Sequence, residues 1–161
     1  MPRPVLAVPL ALSLLTARAA GAQQPSATPP AAPAPRAEFA APAGGTGPFS
    51  PYVRVGETVY LSGVIGTGPD GALAPGGIAP ETRQALANMR ATLARAGATM
   101  DDVVKCTVFL ADMAEWGAMN EVYTTFFPAH KPARSAMGVS GLARNARVEI
   151  ECLAVRGAGG R

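Results

Sequence analysis

The chain is poor in the residues that carry most protein chemistry. Its 161 residues include two cysteines, Cys106 and Cys152, and one histidine, His130. Two cysteines exclude a disulfide-dense scaffold. With so few Cys and His, no metal site is expected, because zinc ligands come in clusters. A single histidine beside Lys131 and Pro132 is a poor general base for a triad and reads as a surface turn residue. Surplus charge is scarce as well. The formal charge of +3 includes Arg3 and Arg18, so the chain without them carries +1. From Gly47 to Arg156, ten basic residues are matched by ten acidic ones. A nucleic-acid binder needs surplus basic charge to displace counterions, so no nucleic-acid partner is expected.

The apolar run Val5 to Leu15, broken by Pro9, is too short to span a bilayer. With Arg3 before it and Ala20-Gly21-Ala22 after it, it reads as a signal peptide, residues 1–22, cleaved after Ala22. This predicts a periplasmic or secreted protein with no membrane span after cleavage. Residues 23–46 are rich in proline and alanine and read as an extended linker. A folded domain is expected over 47–156, followed by a disordered tail at 157–161.

Within the domain, Tyr52–Val55 and Thr58–Ser62 are β-prone runs split by Gly56-Glu57, a hairpin pattern. Pro80 suits the start of a helix whose apolar residues Ala85, Leu86, Met89, Leu93 and Ala96 recur at helical spacing, with Gly97 as a terminal cap. Val103–Leu110 reads as a strand. Asp112 can cap a second helix, with Glu115 three residues on and Pro128 as its stop. Arg134–Val139 and Val148–Val155 read as the last two strands, joined by a turn around Leu142–Asn145. The order β-β-α-β-α-β-β predicts an α+β fold, one largely antiparallel sheet with two helices on one face. In the last strand, Val148, Ile150 and Cys152 point one way and Glu149, Glu151 and Leu153 the other. A sheet with an apolar-to-mixed open face needs a partner, and a closed homo-oligomer is predicted.

Several chemistries can be set aside. Gly63-Val64-Ile65-Gly66-Thr67-Gly68 has the wrong glycine spacing for a dinucleotide and no Lys-Ser/Thr for a phosphate loop. Gly138-Val139-Ser140-Gly141 lacks the second glycine of a nucleophile elbow. Pro132-Ala133-Arg134-Ser135 and Val148-Glu149-Ile150-Glu151 remain. Arginine presents a planar fork that matches a carboxylate. Arg134 near a carboxylate on the next strand could hold an acid ligand. It could equally form an ion pair with Glu149 across the hairpin, the commoner arrangement.

Leu61-Ser62-Gly63, the helix Glu81-Thr82-Arg83-Gln84-Ala85-Leu86-Ala87-Asn88, Asp102-Val103-Val104-Lys105, Asn120-Glu121-Val122-Tyr123, Pro132-Ala133-Arg134-Ser135 and Val148-Glu149-Ile150-Glu151 together resemble the RidA (YjgF-like) family. The match runs in order from about Gly47 to Arg156. The resemblance implies a chorismate-mutase-like fold, a homotrimer with ligand sites between subunits, and no metal or cofactor. It implies hydrolysis of 2-imino or enamino acids, of the 2-iminopropanoate or 2-iminobutanoate type, to 2-keto acids and ammonia. Arg134 matches the arginine that clamps the substrate carboxylate, and Glu149 the glutamate that positions water or moves protons. Phe49, Ser62, Gly63, Asn120 and Ala136 match cleft-lining positions. Phe49 stands where many members have tyrosine, and Ala136 where many have cysteine. Val64 and Gly66 replace a common glutamine and proline, so the pocket is less polar. The same fold places the Cys106 and Cys152 strands antiparallel, which makes a disulfide one hypothesis and two buried thiols the favoured one. Three rival readings stay open: a carboxylate-binding module without turnover, an endoribonuclease or translation inhibitor as some members are labelled, and a chaperone-like holdase.

Overall fold

The computed structural model of the protein describes residues 34–42 and 46–160, all within the compact unit Ala34–Arg161. The expected signal peptide and the start of the expected linker lie outside the described residues.

The elements follow local sequence closely. β2 (Tyr52–Val55) and β3 (Thr58–Leu61) pair across the two-residue turn Gly56-Glu57. The short β4 (Val64–Ile65) follows, then α1 (Ile78–Arg95), β5 (Val103–Leu110), α2 (Trp116–Tyr123), β6 (Ala133–Gly138) and β7 (Val148–Val155). Gly97, at φ +74°, ends α1. Its N–H bonds the Ala94 carbonyl and that of Ala98 bonds Leu93, a reciprocal C-terminal cap that a left-handed residue makes possible. α2 stops short of Pro128. The Thr124 and Thr125 hydroxyls donate to the Glu121 and Val122 carbonyls, and the chain tightens into a 3-10 turn. Asp112 accepts from the Ala114 N–H as a cap should. Glu115, however, does not close a capping box; it pairs with Arg147 at 2.5 Å.

The sheet runs β1 (Ala37–Phe39), β2, β3, β7, β5, β6, with β4 also on β7. It is antiparallel except for β5 and β6, which run parallel through the α2 crossover. This corrects two expectations. The last two strands are not a hairpin: β5 lies between them, and segment 139–147 carries the chain past it, tied by Ala111 N–H to the Arg147 carbonyl. The domain also begins before Gly47. β1 (Ala37–Phe39), inside the expected linker, adds to β2 with its Glu38 paired to Arg54. At the other end, Gly157–Gly160 forms a turn in which the Gly159 N–H bonds the buried Asp102 carboxylate.

The helices cover one face. Leu86, Met89 and Leu93 of α1 and Met119 of α2 are fully buried against Val108, Leu110, Val148, Ile150 and Ala154. Each such side chain contributes roughly 1.5–3 kcal/mol on leaving water. Within this core, Cys106 and Cys152 stand directly opposite each other, 4.1 Å apart at Cα, and form a disulfide. The reading of two buried thiols is therefore overturned, because the antiparallel register aligns both side chains on one face.

Replacing both cysteines by alanine is expected to lower unfolding stability by about 4 kcal/mol, from the 46-residue separation that the bond closes. Denaturant unfolding of the oxidised protein and the double variant measures this; equal midpoints would show that the bond carries no stability.

Candidate functional site

The sheet register distributes the site residues into two groups. Arg134 of β6 pairs with Cys106 of β5, whose side chain lies in the core, so Arg134 also points to the helix side. Being on the edge strand, it reaches the flank of α2 rather than the core centre. Its guanidinium lies over the Tyr123 ring at 4.6 Å and near the Trp116 ring at 6.0 Å. Such stacking holds the fork in place through its face and leaves its N–H edge for an anion. Among the described residues Arg134 has no ion pair.

Asn120, Tyr123, Thr124, Lys131, Pro132 and Arg134 line a recess of about 410 Å³. Two polar atoms of its lining residues, Asn120 Oδ1 and the Tyr123 hydroxyl, are buried and find no hydrogen-bond partner among the described residues. Burial pushes the Tyr123 hydroxyl up to about 12, against the opposing pull of Arg134. It therefore stays protonated in the physiological range and can donate but not act as a base. Ala136, two residues along β6 on the same face, packs against the core.

Glu149 belongs to the second group. It pairs with Phe109 of β5 and Ile65 of β4, and points away from the helices. Its side chain lies across Gly63, where a Cβ would overlap the carboxylate. A larger residue there would push the Glu149 carboxylate out of this position. Phe49, Ser62 and Gly63 line a neighbouring recess of about 190 Å³. The Ser62 hydroxyl donates to the Ser50 carbonyl at 2.7 Å and so holds the Phe49 loop. Asn88 of α1, in the same recess, donates to the Thr67 carbonyl at 2.9 Å and fixes the far wall.

Arg134 and Glu149 thus lie on opposite faces of one sheet, on strands separated by β5. The ion pair across a hairpin is absent, and no single chain brings the two residues together. Arg134 gathers Asn120; Glu149 gathers Gly63, Ser62 and Phe49. The residue pattern marks neither the Tyr123 hydroxyl nor Lys131 as a site group; an aromatic in a helix and a lysine beside a proline are common in structure without function. His130 sits at the surface, against the Asp101 carbonyl at 3.1 Å, and lines neither recess.

The family model described as endoribonuclease L-PSP matches residues 40–156. A 2-iminobutanoate/2-iminopropanoate deaminase from Mus musculus is 48% identical over 112 residues, covering 69% of this chain and 83% of that protein. Among solved structures, E. coli TdcF with bound serine superposes with a TM-score of 0.65 at 36% identity, covering 69% of this chain and 90% of that one. RidA from an Antarctic Psychrobacter superposes with a TM-score of 0.66 at 33% identity, covering 77% and 99%.

The orphaned hydroxyl gives a direct check. Tyr123→Phe is expected to leave stability unchanged or to raise it by up to about 1 kcal/mol, since it removes a buried, unsatisfied donor. A loss of more than about 1 kcal/mol in denaturant unfolding would mean that the hydroxyl has a partner within the fold.

Proposed function

The chain belongs to the RidA family, the family described as endoribonuclease L-PSP, and from that footing we propose that it hydrolyses small 2-imino and enamino acids to 2-keto acids and ammonia. The observation that carries this reading is an arginine fork held by aromatic rings, without an ion pair among the described residues, lining a recess together with Asn120 and Tyr123. TdcF, solved with serine bound, is a relative that holds a small amino-acid carboxylate.

The chemistry follows from residue types. Hydrolysis adds water oxygen to C2, and nitrogen leaves as ammonia. No electrons are exchanged with an external partner. Arg134 grips the substrate carboxylate and fixes C2 in position. Asn120 and Tyr123 line the same recess and shape it around the bound acid. Glu149 takes a proton from the attacking water and returns it to nitrogen.

For Glu149 to reach C2, it must come from another copy of the chain. Two facts support such an assembly: the separation of the two groups on opposite faces, and the apolar side chains left on the uncovered sheet face, including Tyr60 and Met137 at 48% and 42% exposed. A homotrimer with three shared sites satisfies both. The nuclease reading finds no support in the placement of His130.

Export is proposed on two independent grounds. The leader pattern of residues 1–22 is one. The other is the buried Cys106–Cys152 disulfide, a bond that persists in oxidising compartments.

Two experiments test these readings. Arg134→Ala and Glu149→Gln should each abolish hydrolysis of 2-iminopropanoate. When the two variants are unfolded, mixed equally and refolded together, about a quarter of wild-type activity should return, because one shared site in four inherits both intact residues. No recovery from well-formed mixed oligomers would refute the shared site. For export, intact mass of the protein from the cell envelope fraction should show Gln23 as the first residue; retention of Met1 would refute cleavage.

A further inference from the structure

Resting on the deaminase reading, we propose that Lys131 adapts this site to 2-imino dicarboxylates, substrates with a second acid group on the side chain. Lys131 lines the same recess as Arg134. Its ammonium donates to the Phe127 carbonyl and, at 3.4 Å, to that of Thr124. These carbonyls at the end of the α2 segment hold the charge at the rim. An ammonium has three donors, so one remains for a ligand.

Charge bookkeeping decides the substrate class. Among the described residues, neither Lys131 nor Arg134 forms an ion pair, and no carboxylate lines this recess. The recess alone therefore carries two uncompensated positive charges. Glu149, brought by a second copy, reduces the assembled site to +1. A 2-iminium monocarboxylate is a zwitterion of net charge zero and leaves that +1 unanswered. A 2-iminium dicarboxylate carries −1 and neutralises it. In a partly enclosed site such matching separates substrates more strongly than it does in water. Arg134 takes the C1 carboxylate with its planar fork, and Lys131 meets the distal one as a point charge. The reaction itself is unchanged: water bonds to C2 and ammonia leaves.

The test compares kcat/KM for 2-iminosuccinate and 2-iminopropanoate, each generated in situ by oxidising L-aspartate or L-alanine, with residual imine trapped by semicarbazide. The readout is the ratio of the two values, which does not depend on the fraction of folded protein. In the wild type the ratio should exceed one. In Lys131→Met it should fall about tenfold, the size expected for losing one charge-assisted hydrogen bond. In Lys131→Arg it should be largely restored. A ratio unchanged by Lys131→Met overturns the proposal while leaving the deaminase reading intact. Acceleration of neither imine by the wild type overturns both.

Discussion

Strand β7 is the constraint on which the other placements depend. It pairs with β3, β4 and β5, and its side chains alternate strictly between core and open face. Val148, Ile150, Cys152 and Ala154 are buried; Glu149 and Glu151 are not. A slip of one residue against β5 would exchange the two sets. It would bury two carboxylates under the helices and move Cys152 away from Cys106. The disulfide pins the β5–β7 register at one residue pair. From that pairing the site follows: Cys106 fixes the face of Arg134 through β6, and Phe109 fixes the face of Glu149.

The polar groups of the Arg134 recess are unusual for a folded interior. Buried hydrogen-bonding atoms nearly always find partners, and leaving one without costs about 1–3 kcal/mol. Here Asn120 Oδ1 and the Tyr123 hydroxyl both lack one, side by side with a guanidinium held by rings rather than by a carboxylate. Contrast Arg147, which spans Glu115 at 2.5 Å and offers its N–H to the buried Glu81. That network ties the starts of α1 and β7 to the turn before α2 and pairs its charges within the fold, although Glu115 Oε2 is likewise buried without a partner among the described residues. Arg134 differs in having no carboxylate partner among the described residues.

Much of this was legible in the sequence. The boundaries of β5 and β7 follow from valine-rich runs with period two, and α1 from its Leu86-Met89-Leu93 stripe. The face of Glu149 follows from alternation alone. The partner of β6 was not legible. A short loop between two strands looks the same whether it turns back on itself or passes a third strand, and only the α2 crossover decides. β1 was hidden because Ala37-Glu38-Phe39 is too short to stand out from proline-rich surroundings; an edge partner, β2, makes it a strand. The disulfide needed the register to one residue, which propensity does not supply. Arg134, Glu149 and Gly63 are singled out by motifs alone. The Tyr123 hydroxyl is not, because a helical aromatic at core spacing is ordinarily only packing.

Placing the two halves of a site on opposite faces of a single sheet links chemistry to assembly. In a lone chain the Arg134 recess carries two positive charges, Arg134 and Lys131, and Glu149 faces outward without a cation to meet it. In the proposed assembly the carboxylate of one copy meets the cations of the next. That attraction would add to the burial of the open face, where Tyr60 and Leu153 stand opposite each other. The charge left over after this pairing would be the charge available to select a substrate. On that proposal selection by net charge belongs to the oligomer, and Lys131, which would set it, need take no part in the bond-making step.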